Sequence, residues 1–193
     1  AAANLKEKAS FLLGDALMRL GRNAQGAAVF TDALERYPAS PFALDMRLNL
    51  ATYYFGQGEL ETATALLINL KDADLDRERR FLVEFYLANT YYSRREFAAA
   101  LTVFESLLRD YPDRDERHDL IFGLGECHYQ LGQFSQARDY YARLLKEAPD
   151  HASADDAQYN TAWSLLELTD EATAMQTLQD LIGNYPQSEF APA

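Results

Sequence analysis

Several groups of residues in this sequence have the types that chemistry requires. Asp72-x-Asp74-x-Asp76 copies the first three ligand positions of a calcium-binding loop. The sixth position of such a loop needs glycine for its sharp turn and holds Arg77, and the twelfth needs a bidentate glutamate and holds Val83. The run reads as a solvated acidic turn. Gly123-Leu124-Gly125 begins like a dinucleotide fingerprint, but its third glycine slot is His128 and no strand pattern precedes it. Cys127 and His128 stand side by side as nucleophile and base. Helix neighbours project about 100° apart, so these two do not readily share a hydrogen bond. His118 and His151 lack carboxylates at metal-ligand spacing. Arg77, Arg79 and Arg80, and again Arg94 and Arg95, read as salt-bridge partners of Glu78, Glu84 and Glu96, with a docking spot for an anion as the alternative. No catalytic set, metal site or cofactor site emerges.

Composition narrows the classes that remain. With 18 basic against 30 acidic residues the formal net charge is −12 and the pI about 4.6, a surface that repels phosphate backbones and anionic lipid. Nucleic acid is therefore not an expected partner. The content of 48% hydrophobic residues is too high for a disordered segment, and 6 Pro and 9 Gly are too few for a β-sandwich. The lone Cys127 leaves no internal disulfide and no cysteine-based zinc site. No run approaches the roughly 18 apolar residues of a membrane-spanning helix. The start, Ala-Ala-Ala-Asn-Leu-Lys, has no apolar signal-peptide core, so an exported form would have lost its signal.

What positions these side chains is a repeat. Tyr37-Pro38, Tyr111-Pro112 and Tyr185-Pro186 lie 74 residues apart, twice 37, and Pro149 falls on the same grid, with Leu75 in the remaining slot. Small residues recur at Gly14, Ala51, Ala88, Gly125 and Ala162, and again at Gly26, Ala63, Ala100, Ala137 and Ala174. Large apolar residues follow at Phe30, Leu67, Phe104, Tyr141 and Leu178, and a further apolar column runs Ala33, Leu70, Leu107, Leu144 and Leu181. Within a repeat the spacing is helical over two stretches. In the fourth, Ile121, Leu124, Gly125 and His128 form one stripe, and Phe134, Ala137, Tyr141, Leu144 and Leu145 form the other. Gly132 between them, like Gly21 and Gly58, sits where a left-handed helix cap is expected, and Pro149 ends the second helix. Each repeat is predicted to be a helical hairpin, and the pairing of Gly125 with Ala137 lets its two helices approach closely. His128 shares a column with Leu17, Tyr54, Tyr91 and Leu165 and is predicted to be core.

This pattern resembles the tetratricopeptide repeat family: small at position 8, small at 20, aromatic at 24, apolar at 27 and proline at 32. The resemblance runs over about residues 7–190 and departs from the family in three ways. The period is 37 where the family's is 34. The tryptophan near position 4 is replaced by Ser10, Arg47, Glu84, Ile121 and Gln158, and the second repeat lacks its proline. The resemblance implies an all-α, right-handed α-solenoid of five hairpins, about 7–43, 44–80, 81–117, 118–154 and 155–191, forming one array over residues 1–193. Tyr37-Pro38-Ala39-Ser40-Pro41-Phe42-Ala43, echoed at Tyr185–Ala191, is similar to a bacterial cell-envelope sub-type, that of the outer-membrane assembly lipoprotein and the Tol-Pal-associated periplasmic coordinator. It implies the periplasm or the outer-membrane periphery, with the cytoplasm as the alternative. Phe190-Ala191 imitates the entry to a sixth repeat, so the chain is expected to be part of a longer array or to have its last hairpin covered by a partner.

In this family the first helices of the hairpins line a concave groove that binds peptides. Positions 5, 9 and 12 of those helices fall within about 60° of one another and form one stripe. Position 5 reads Phe11, Leu48, Phe85, Phe122 and Tyr159; position 12 reads Met18, Phe55, Tyr92, Tyr129 and Leu166. Position 9 reads Asp15, Thr52, Asn89, Glu126 and Trp163, and position 2 adds Asp45, Asp119 and Asp156. One reading is a ladder of aromatic anchors with acceptors between them, suited to an apolar partner carrying basic residues. The other is that positions 5 and 12 are consumed by packing. Position 9 is the expected exposed column, with Trp163 as a binding hot spot. The clamp of Lys and Asn that holds carboxylate tails in chaperone-binding members has acidic or aromatic residues in its place. The expected function is a non-enzymatic adaptor that binds a protein or peptide in this groove. Its rivals are a structural, self-associating component of an envelope assembly and the regulatory array of a larger enzyme.

Overall fold

The computed structural model describes residues 2–190, with side chains from Leu5 onward, so Ala191 of the apparent sixth-repeat entry lies outside the described residues. Packing divides the chain into two compact units, Ala1–Arg94 and Arg95–Ala193. The first unit holds α1 (Ala2–Arg19), α2 (Asn23–Arg36), α3 (Ala43–Gly56), α4 (Leu60–Lys71) and α5 (Arg77–Ser93). The second holds α6 (Phe97–Asp110), α7 (Arg117–Gln130), α8 (Phe134–Glu147), α9 (Ala154–Glu167) and α10 (Glu171–Asn184). No strand occurs among the described residues. The fold is the expected α-solenoid of helical hairpins, and the division falls in the turn of the third repeat.

Turn chemistry explains the helix ends. Gly21, Gly58 and Gly132 adopt φ of 73°, 75° and 72°, the left-handed conformation expected of a helix cap. Arg95 and Thr169, at the same slot of the third and fifth repeats, adopt φ of 64° and 62° without being glycine. The hairpin imposes the conformation whatever residue is there. Second helices stop one residue before the tyrosine of each Tyr-Pro pair, and Tyr37, Tyr111 and Tyr185 each donate a backbone N–H to the carbonyl four residues back. The second repeat lacks that proline. There α4 stops at Lys71, Leu75 turns inward, and the Asp76 carboxylate accepts from Arg79 N at 2.8 Å to cap α5. The acidic run is thus a turn with a capping role.

Junctions between successive repeats form the core. Phe30 and Ala33 of α2 pack on Met46 and Leu50 of α3, and Leu67 and Leu70 of α4 pack on Val83 and Leu87 of α5. In the second unit Tyr141 and Leu144 of α8 meet Ile121 of α7 and Ala157 of α9. Burying one such side chain is worth about 1.5–3 kcal/mol, so a hairpin owes its stability to its neighbours. The small columns work as predicted, with one refinement. A Cβ on Gly26 would stand 3.0 Å from the Gly14 carbonyl, so positions 8 and 20 do approach closely. A Cβ on Gly125, however, would stand 2.6 Å from the Tyr141 ring, so position 8 chiefly makes room for the large residue at position 24.

Candidate functional site

Every residue of the predicted stripe at positions 5 and 12 is half-buried, neither core nor open surface. Ring contacts within the chain occupy most of position 5. Phe11 stacks on Phe42 at 5.1 Å and on Phe30 at 6.2 Å, and Phe85 stacks on Phe81 at 5.7 Å. Phe122 leans on Tyr141 at 6.0 Å, and Tyr159 lies beneath Phe190 at 4.1 Å. The pairs Phe11–Phe42 and Tyr159–Phe190 are the same contact, the aromatic that enters the next repeat closing over position 5. At position 12, Phe55 meets Tyr86 edge-on at 6.3 Å and Tyr129 meets Phe134 edge-on at 5.4 Å, while Tyr92 is half-buried on α5. The packing reading therefore accounts for much of the ladder.

Position 9 departs from expectation more sharply, because only Trp163 is exposed, at 41%. Asp15 pairs with Arg19 at 2.9 Å, Thr52 donates to Asn49 O at 2.9 Å, and Asn89 Nδ2 donates to Phe85 O at 2.8 Å. These polar groups are largely turned onto their own helices. Glu126 is tied across elements: its Oε1 accepts from Tyr141 Oη at 2.6 Å and from Asn160 Nδ2 at 2.7 Å. The position-2 acids diverge too. Asp45 is held bidentately by Arg79, at 2.6 and 2.9 Å, so Arg79 has partners in Asp45 and Asp76 that its sequence neighbours Glu78 and Glu84 did not suggest. Asp119 faces His151 Nε2 at 3.3 Å. Asp156 is half-buried, and its carboxyl is pushed above the ordinary range, chiefly by burial and then by Asp155, Glu126 and Glu189.

One open surface lies between successive first helices. In the first unit a pocket of about 310 Å³ is lined by Phe11, Asp45, Leu48, Asn49, Thr52, Leu82 and Tyr86. Positions 5 and 9 of one first helix form it together with positions 2 and 6 of the next. Position 6, and with it Asn49 and Tyr86, escaped the sequence reading. One helix shows which residues share its own face, but not how far the next helix is offset along its axis. The same four positions recur in the second unit as Phe122 and Glu126 of α7 with Asp156 and Asn160 of α9, beside Tyr159 and Trp163. There Trp163 stands edge-on to Tyr159 at 6.1 Å. The Tyr129 hydroxyl is pushed up by burial and by Glu167 and Glu126. Helix α9 thus carries an exposed indole, and its Asp156 lies in the field of Asp155, Glu126 and Glu189.

The reactive side chains are placed as structural ones. Cys127 is buried and its thiol is pushed up to about 12, first by burial and then by Glu126. His128 is buried, 2.6 Å from Gln133 and stacked on Tyr140 at 5.3 Å. His118 and His151, far apart in sequence, come within 6.0 Å of each other, with Glu147 3.8 Å from the first. Among the described residues no group of three His, Cys, Asp or Glu could hold a metal ion. No described helix is long and apolar enough to cross a membrane.

Comparison with known proteins agrees with this geometry. A family model described as tetratricopeptide repeat matches residues 11–68 and 86–152, together more than half of the chain, and a second of the same description matches residues 156–188. No curated protein matches the sequence. Among solved structures, the chain is similar to MamA of Desulfovibrio magneticus RS-1, with a TM-score of 0.80 at 11% identity over 95% of this chain and 97% of that one. MamA AMB-1 gives 0.76 at 19% identity over 96% and 94%. YrrB, described as a TPR protein with an unusual peptide-binding site, gives 0.76 at 15% over 94% and 87%. At these identities the likeness is one of fold.

Proposed function

The chain belongs to the tetratricopeptide repeat family, whose members are protein-interaction scaffolds, and from that premise we propose that it binds a protein partner through its first helices. The partner segment is apolar and carries basic residues. A single observation carries this reading: Trp163, the only tryptophan of the chain, is exposed on α9 and edge-on to Tyr159, and the same helix carries Asp156, whose carboxylate shares one neighbourhood with that of Glu126. Exposing an indole to water is unfavourable, and so is crowding partly buried carboxylates. A cationic, apolar ligand relieves both. The pocket of about 310 Å³ in the first unit has the size for a large apolar side chain. With this reading goes a setting in the bacterial cell envelope, supported by the turn sequence Tyr37–Ala43 and tested by fractionating native cells.

Paired capture from native extract tests the proposal, with the wild-type chain and a Trp163→Ala/Asp156→Asn variant shown by circular dichroism to stay helical. The partner held by the first and lost by the second is then titrated against Trp163 fluorescence. A blue shift on binding, and an affinity about tenfold or more weaker for Trp163→Ala, are expected of a hot spot. A partner retained equally by both chains, or bound without change in the indole emission, would place the site elsewhere. Binding also weakens as pH falls through the raised Asp156 titration, because protonation removes the charge that the basic residues recognise.

A further inference from the structure

A second pocket, of about 430 Å³, opens on the second helix of the first repeat. Ala27, Ala28, Asp32 and Glu35 of α2 line it together with Tyr53 and Tyr54 of α3 and Glu59 at the entry to α4. The two tyrosines stand edge-on to each other at 5.3 Å, half-buried against the core cluster that holds Phe30 and Met46. The charge of the pocket is one-sided. Its three charged residues are all acidic, and Arg22 and Arg36, at the two ends of α2, are not among those that line it. Arg36 pairs with Asp32 at 2.6 Å, but both side chains are more than half exposed. Glu35 and Glu59 form no ion pair among the described residues, and the Glu59 side chain does not cap α4. Aromatic rings beside carboxylates recognise a cation with a flat face, because a guanidinium stacks on a ring while donating to carboxylates.

The next repeat of the same unit shows what such a place holds. One 37-residue step on, Thr64 stands for Ala27, Tyr91 for Tyr54 and Arg94 for Gln57. There the Arg94 guanidinium reaches back from the end of α5 and donates from Nη1 to Thr64 Oγ1 at 3.2 Å. In the first junction an amide, Gln57, replaces that arginine and does not line the pocket, so the corresponding space is open. We infer that this pocket takes an arginine side chain from a segment of a partner protein, completing at the first junction what Arg94 completes at the second. The net charge of −12 draws basic segments toward the chain, and the tyrosine pair with its carboxylates gives one of their side chains a fixed seat. This inference rests on α2 and the turn between α3 and α4, and does not rest on the groove reading.

Titration of the whole chain with the blocked peptide Ala-Ala-Arg-Ala-Ala, followed by nuclear magnetic resonance, tests it. The signals of Ala27, Ala28, Tyr53 and Tyr54 should shift saturably. The same peptide with citrulline in place of arginine, equal in shape but uncharged, should bind about tenfold or more weaker. Glu35→Gln/Glu59→Gln should weaken the arginine peptide by a similar factor, and both side chains are exposed, so the fold should survive. Gln57→Arg/Ala27→Thr copies the second junction and should abolish binding, because the chain then fills its own pocket. Circular dichroism checks that both variants stay helical. Trp163→Ala should bind the peptide as the wild type does, which keeps this test separate from that of the groove. Unmoved signals at the four residues, equal binding of the citrulline peptide, or binding that survives either double substitution would overturn the inference.

Discussion

Two residues hold a backbone conformation that their side chains oppose. Thr169 sits at φ 62° and Arg95 at φ 64°, in the slot that three other repeats fill with glycine. A β-branched residue is the poorer occupant, because its Cβ substituents crowd the following carbonyl. Thr169→Gly should stabilise the chain by about 1 kcal/mol, and Gly58→Ala should destabilise it by a similar amount, both read as shifts in the urea midpoint. A midpoint unchanged by either substitution would mean that the turn relaxes without cost. The opposite sign applies to Gly125, whose helical position would ordinarily gain about 1 kcal/mol from alanine. Here the added Cβ meets the Tyr141 ring at 2.6 Å, and Tyr141 is fully buried and tethered to Glu126. The ring cannot swing away without breaking that bond, so overpacking of about 1–3 kcal/mol prevails and Gly125→Ala should destabilise. The neighbouring thiol reports such changes. Cys127 is buried, with its ionisation pushed up to about 12, so its reaction with a thiol reagent should follow opening of α7 and accelerate in Gly125→Ala.

At the scale of the helix, the fourth hairpin is clasped electrostatically where α7 begins and α8 ends. Arg117 and Arg143 both reach Glu147, the latter at 2.9 Å, and hold its carboxyl down to about 2 from the ordinary 4.5. A depressed carboxyl contributes stability above its unfolded value and loses it as pH falls through the folded one. The thermal gap between wild type and Glu147→Gln should therefore be open at neutral pH and close between about 4.5 and about 2. Asp156 has the opposite sign. Its raised carboxyl opposes folding once ionised, so Asp156→Asn should stabilise at neutral pH and lose that advantage in acid. A thermal scan of both variants across this range separates the two. The hairpins themselves were legible because proline, glycine and small residues each impose a local constraint that recurs every 37 residues. The left-handed turns at Arg95 and Thr169 were legible only by analogy with their glycine counterparts, since neither residue type signals the conformation. The proximity of His118 and His151 was hidden because it depends on how successive hairpins stack. Of the groove, the face carrying positions 5 and 9 could be read from one helix. The contribution of Asn49, Tyr86 and Asn160 could not, because it depends on the offset between helices.

Over the whole molecule the dominant electrostatic fact is imbalance. Thirty acidic residues face 18 basic ones, so even complete pairing leaves 12 carboxylates unmatched. Several observed pairs lie at the surface: Arg36–Asp32, Arg109–Asp110 and Arg138–Asp139 are local and exposed, so solvent screens each and its contribution to stability is small. Added salt screens both these attractions and the general repulsion, and the sign of its effect shows which is larger. Repulsion among unmatched charges acts between many pairs over a Debye length of about 10 Å at 0.1 M, whereas each ion pair is a single contact held at close range. Screening should therefore stabilise the chain. A rise in melting temperature of a few degrees from low to moderate sodium chloride corresponds to about 1 kcal/mol for a chain of this size. A melting temperature that falls with salt would show that the local ion pairs, with the Glu147 clasp foremost, outweigh the net charge.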